Sequence, residues 1–250
     1  MLEVPFSAGE IVIIACTFAF AAAAKGITGL GFSTTCLSIL AATIGLKEAL
    51  PVLIIPSLAS NVVVMVGAGG FRQSVGRFWP LLIANIPGIA AGVWMLSILD
   101  GKDAAGILGV ILLGYCGFAA LRPDFSLKAA LVAPLQPLVG ALTGFINGLT
   151  GSQVMPILPY LMSLKLTPNQ FVQTINCSFT LCSIAMAVGL STLGLMTPGA
   201  ALGSVLAIPI VIGGVRFGEA VRRRMPVAWF RRFVLGMLAF LAIALIIKAV

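Results

Sequence analysis

Two short stretches set the terms for this chain. Lys25-Gly26-Ile27-Thr28-Gly29-Leu30-Gly31 is followed, 122 residues later, by Asn147-Gly148-Leu149-Thr150-Gly151-Ser152-Gln153. Both are rich in glycine, and both interrupt sequence that is otherwise almost wholly apolar. A turn at membrane depth frees backbone N–H and C=O groups that lipid cannot satisfy, so it must face protein or a water-filled cavity. Two such interruptions at corresponding places in two halves of a chain point to the binding site of a transporter.

The solvent follows from composition. Of 250 residues, 60% are hydrophobic and 9% charged, with a mean hydropathy of +1.15. A soluble domain carries roughly 25% charged residues, so an all-α polytopic membrane protein is expected. The net charge of +8 does not signal nucleic acid, because Lys and Arg sit at the ends of apolar runs, as in cytoplasmic loops. Cys16, Cys36, Cys116, Cys177 and Cys182 lie in apolar runs without the spacing of zinc sites or disulfide scaffolds. They read as buried thiols. The start of the chain carries Glu3 and Glu10 and lacks a basic n-region, so no cleavable signal peptide is expected.

Apolar runs fall at 11–24, 32–46, 49–69, 78–99 and 104–121, then again at 129–146, 154–164, 171–190, 198–215 and 233–250. Arg72 and Arg77 mark one loop, and Asp100-Gly101-Lys102-Asp103 a tight one. The basic residues Arg216, Arg222-Arg223-Arg224 and Arg231-Arg232 mark another. The constant offset of 122 also pairs Ile86-Pro87 with Ile208-Pro209, Gly92 with Gly214, and Leu113-Gly114 with Leu235-Gly236. Duplication is the expectation: a first repeat over 1–121, a linker over 122–128 and a second repeat over 129–250.

Five segments per repeat is an odd number, so the repeats should be inverted. An N-terminus outside puts Arg72, Arg77, Arg122, Lys128 and the 216–232 cluster on one side, which the positive-inside rule makes cytoplasmic. Lys47-Glu48, the acidic 100–103 loop and the uncharged stretch 192–198 fall on the other. The short segments beside each glycine turn either cross fully or re-enter, and parity is the same for both.

Polar groups at the midplane are costly and therefore informative. The candidate substrate-binding residues are Lys25, Thr28, Gly29, Ser57, Asn61, Asn147, Thr150, Gly151, Ser152, Gln153, Gln173 and Asn176. They are rich in N–H and O–H donors, and helices opening after each turn add partial positive charge, which together suit an anion with several acceptor oxygens. On this basis Thr28→Val or Asn147→Leu should weaken binding while leaving folding intact. Each group also has a structural alternative. Serine and threonine bond their own backbone, glycines pack helices together, and Lys25 reaches the surface if the turn lies shallow. Pro56, Pro87, Pro156 and Pro209 are expected to permit helix breaks or hinges. The chain has no His, and its Asp and Glu residues lie near segment ends or in loops, so a buried proton relay has no evident carrier.

The motifs Gly26-Ile-Thr-Gly29-Leu-Gly31 and Gly144-Phe-Ile-Asn-Gly148-Leu-Thr-Gly151, followed by Pro156, resemble those of the sulfite exporter TauE/SafE family across essentially the whole chain. Phe32-Ser33-Thr34 and Ser152-Gln153 stand where that family commonly has further glycines. The resemblance implies movement of sulfite, organosulfonates or related small organic anions across the cytoplasmic membrane, outward. The expected partners are that anion and the lipid bilayer, with a homodimer left open. No cofactor, metal, catalysis or nucleic acid is expected. The rival readings are a non-transporting membrane assembly subunit, or a permease for an unrelated small solute or a metal ion.

Overall fold

The computed structural model describes residues 6–121, 126–164, 166–222 and 227–249. Glu3, Arg122-Pro123-Asp124 of the linker, Arg223-Arg224, and the side chains of Arg222, Arg231 and Arg232 lie outside the described residues. The described elements are all helical: α1 (Ala8–Thr28), α2 (Phe32–Thr43), α3 (Leu46–Ala68), α4 (Phe71–Ile98), α5 (Gly101–Leu121), α6 (Ala129–Thr150), α7 (Ile157–Met162), α8 (Pro168–Thr192), α9 (Pro198–Leu206), α10 (Ile208–Arg222) and α11 (Val227–Ala249). Among the described residues, α1, α3, α4, α5, α6, α8 and the stretch Pro198–Val221 are each long and apolar enough to cross a bilayer. This is a multi-pass membrane protein.

Helix ends follow local chemistry. Ser7 and Glu10 form a reciprocal capping box at α1, and Thr167 and Gln170 form one at α8. The two helices after the glycine turns are short, at 12 residues for α2 and 6 for α7.

Several boundaries differ from the sequence expectation. Lys25 to Thr28 belong to the last turn of α1, and Asn147 to Thr150 to that of α6, so the true turns are narrower than the glycine-rich stretches. Gly26 and Gly148 are tolerated because each packs on another helix. Arg72 and Arg77 lie on α4 and not in a loop; the loop is Gly69-Gly70, both at positive φ. The apolar run begins at Phe78, where α4 kinks (φ −116°, ψ 16°) two residues before Pro80, while the helix itself starts earlier, at Phe71. Gly101 to Asp103 likewise begin α5. Pro56 and Pro87 do not break their helices, which run on with other helices packed around them. The breaks fall at Pro156, which follows Met155 through a cis bond and caps α7, and at Ala207, before Pro209.

Packing interleaves the two parts of the chain. The closest helix pairings are α4 on α6, α1 on α10, α3 on α8 and α5 on α11, and each joins an element before residue 122 to one after residue 128. Glycine makes two of these crossings intimate. A methyl group on Gly92 would collide with the Phe145 carbonyl oxygen of α6, and one on Gly148 with the Ile89 carbonyl of α4. At the α1–α10 crossing, Gly26 meets the Val215 carbonyl and Gly218 the Ala23 carbonyl. With lipid on the outside, such close backbone packing is a main source of helix association.

Candidate functional site

Both glycine turns are built alike. Gly29 (φ 80°) ends α1 in the left-handed region, and its N–H donates to the Lys25 carbonyl at 2.6 Å. Gly151 (φ 73°) ends α6 the same way, its N–H donating to the Asn147 carbonyl at 2.7 Å. Neither position suits a side chain-bearing residue. The Thr28 hydroxyl bonds the Ala24 carbonyl at 2.9 Å and accepts the Leu30 N–H at 3.2 Å. The Thr150 hydroxyl bonds the Ile146 carbonyl at 2.7 Å and accepts the Ser152 N–H at 3.2 Å. Both threonines brace their turns.

The side chains around the turns are not alike, and the site comes from that difference. Lys25, in the last turn of α1, is 1% exposed. Its ammonium donates to Ser60 Oγ at 3.1 Å and to Asn61 Oδ1, both on α3 and both neutral. Among the described residues no carboxylate is bonded to it. Beside it lies a cavity of about 10 Å³, lined by Lys25, Gly31, Phe32, Ser33, Thr34, Asn61, Gln153 and Phe179. That is room for about one water molecule. The cavity sits where both turns meet, because Gln153 comes from the second turn at the position equivalent to Gly31 in the first.

Phe32 to Thr34 are the first turn of α2, whose N-cap Gly31 provides no side-chain acceptor. Unbonded N–H groups at a helix start carry partial positive charge. The wall of the cavity therefore combines a buried ammonium, a helix N-terminus and several amides. Asn61 Nδ2 and Gln153 Oε1 are buried without a partner, while Gln153 Nε2 reaches Ser183 Oγ at 3.3 Å.

A second, larger chamber of about 410 Å³ adjoins it. Gly31, Thr34 and Phe179 line both spaces. The chamber wall is otherwise mainly apolar, with Val154, Leu158, Leu161, Met162, Phe171, Ile175 and Leu238 among its residues.

Residues 13–245 match the family model described as Sulfite exporter TauE/SafE. The chain belongs to the TauE/SafE sulfite exporter family. No curated protein and no solved structure matches it. Membership makes the protein a membrane transporter of sulfite-type anions.

For this TauE/SafE chain, the structure gathers part of the sequence-derived residue set. Lys25, Asn61 and Gln153 line the central cavity, and Thr28 lines the chamber. Ser57 stands behind the cavity wall, its hydroxyl 2.6 Å from that of Ser33. Gly29 shapes the first turn. Asn147, Thr150, Gly151 and Ser152 are buried but line neither space, and Asn147 Nδ2 and Ser152 Oγ are unpartnered. Gln173 and Asn176 also line neither space. With its amide turned to donate, Gln173 bonds the carbonyls of Met65 at 2.6 Å and Gly69 at 3.1 Å, tying α8 to the end of α3. Asn176 Nδ2 bonds the Val172 carbonyl at 2.8 Å on its own helix.

Sequence reasoning missed Ser33, Thr34, Ser60 and Phe179 as site residues. The run Phe32-Ser33-Thr34-Thr35, opening a helix directly after a glycine turn, is the signal that could have revealed the first two. Nothing in the pattern of α8 singles out Phe179.

Proposed function

We propose that this protein is a secondary exporter of a small organic or sulfur-containing anion, such as sulfite or an organosulfonate, in the cytoplasmic membrane. One observation carries the proposal: a fully buried lysine ammonium held, among the described residues, only by neutral oxygens, beside a cavity where the two duplicated turns meet. An unpaired buried charge is expensive, and an anion delivered to the cavity supplies the missing counter-charge. Lys25, the α2 N-terminus, Asn61 and Gln153 bind the head group. Ser57 positions Ser33, while Thr28, Gly29, Thr150 and Gly151 set the two turns. Gln173 and Asn176 are structural.

Alternating access follows from inverted repeats around this cavity. The equivalence of α1 with α6 and of α4 with α9 and α10 is matched by the reciprocal pairings α4 on α6 and α1 on α10, which supports a pseudo-two-fold arrangement. The chamber wall includes Met162, Leu166 and Phe171, which pack in one cluster with Phe78 and Leu127, the neighbours of Arg77 and Lys128. By the positive-inside rule that end of the chamber faces the cytoplasm. A lysine that keeps its charge when the carrier returns empty makes each cycle move one net negative charge outward, so the membrane potential drives export at about 2.3 kcal/mol per charge per 100 mV.

The test is efflux from proteoliposomes loaded with sulfite or sulfoacetate. Saturable efflux, accelerated by an outward-positive potential without proton flux and lost in Lys25→Met, is expected. Unchanged efflux in Lys25→Met would refute the site.

A further inference from the structure

The central cavity has Lys25, Ser33, Thr34, Asn61 and Gln153 among its lining residues and room for about one water, whereas the chamber beside it is forty-fold larger and mainly apolar (about 10 Å³ against about 410 Å³). The two meet at Gly31, Thr34 and Phe179. The chamber volume falls in the range of small-molecule sites, about 300–1,000 Å³. One of its few polar groups, the Thr28 hydroxyl, is committed to bracing its own turn. We infer that the cargo is an amphiphilic organic anion, with its acidic head group at Lys25 and a hydrocarbon body of several carbons lying in the chamber.

The inference rests on the transport proposal above and narrows its substrate class. A bare inorganic oxyanion gains little from the chamber wall: it would give up hydration against Leu158, Leu161, Ile175 and Phe179, and only the hydroxyls of Thr28, Thr34 and Tyr115 stand among those apolar side chains. An alkyl or aryl group does the opposite, releasing water from its own surface and from that wall. The shared wall at Gly31, Thr34 and Phe179 sets the order of the ligand, head inward and body in the chamber. Phe179, buried between them, must yield for a head group larger than water to reach Lys25. The aromatic side chain then lies against the first carbons of the body.

The experiment is binding to the full chain in nanodiscs, using sulfite, methanesulfonate, propanesulfonate, pentanesulfonate and benzenesulfonate, with pentanol as the uncharged control. Affinity is expected to rise about three- to fourfold per added methylene until the chamber is filled, and to vanish for all anions in Lys25→Met. Met162→Gln and Leu166→Gln, at half-buried chamber positions, should flatten the chain-length dependence. Lys25-dependent affinity that is flat or falls with chain length overturns this inference and leaves the transport proposal standing. Pentanol binding as tightly as pentanesulfonate overturns it too, because the chamber is then a crevice for hydrocarbon of any kind. Failure of every anion to bind removes the transport proposal and this one with it.

Discussion

Burying the Lys25 ammonium strips it of water, and Ser60 and Asn61 return only part of that hydration. A hydrophobic side chain of similar length would fill the same space without that penalty. Lys25→Met is therefore expected to leave the thermal unfolding temperature unchanged or to raise it, by an amount corresponding to about 1 kcal/mol or more, while abolishing stabilisation by added anion. A marked fall in unfolding temperature would instead make Lys25 a structural residue. The threonines behave differently. Thr28 and Thr150 share two backbone contacts in their turns, and the Thr28 hydroxyl also lies 2.7 Å from the Leu30 carbonyl, so Thr28→Val and Thr150→Val should each destabilise by about 1 kcal/mol, measured by thermal unfolding in detergent. Closely matched losses are the expected result. A loss confined to one variant would separate the two turns. This shifts the sequence expectation for Thr28→Val from lost binding contacts to a loosened turn.

At the level of elements, helix crossings decide which glycines pack helices together and which shape turns. Gly92 and Gly148 stand face to face where α4 crosses α6. In Gly92→Ala the new methyl meets backbone that cannot swing aside, so destabilisation of about 1–3 kcal/mol is expected. Gly203→Ala on α9, with open space around it, should be neutral or slightly stabilising. Equal unfolding temperatures for both variants would show that the crossing is loose. The helical content and the short helices after each turn were legible because apolar runs and glycine breaks are local signals. The starts of α4 and α5 were not, because Arg72, Arg77, Lys102 and Asp103 look like loop residues yet lie in first or second helical turns that extend past the apolar run. Much the same limit applied to the site. Lys25, Asn61 and Gln153 announced themselves as polar groups in apolar sequence. Phe179 could not, since one more aromatic in α8 has no pattern until the fold sets it between two cavities.

Across the whole molecule, the two ends of the helical bundle differ in shape and charge. One end holds the open apolar chamber, near Arg77 and Lys128. The other holds a depression of about 620 Å³ bordered by Thr43, Glu48, Asp100, Lys102 and Asp103. Between that depression and Lys25 stand Leu37, Leu40, Leu50 and Leu53, all buried within one apolar cluster. The structure is thus open toward the basic end and sealed toward the acidic one. An acidic outer mouth also disfavours return of a released anion, although screening limits that effect to about a Debye length, roughly 8 Å at physiological salt. These relations fix what a membrane-impermeant maleimide should find once the exposed Cys16 has been replaced by serine. In intact cells Thr43→Cys should label and Met162→Cys should not; in inside-out vesicles the order should reverse, with bound anion shielding Met162→Cys. Labelling of Met162→Cys from outside intact cells would invert the assigned orientation and, with it, the direction in which the chamber loads its cargo.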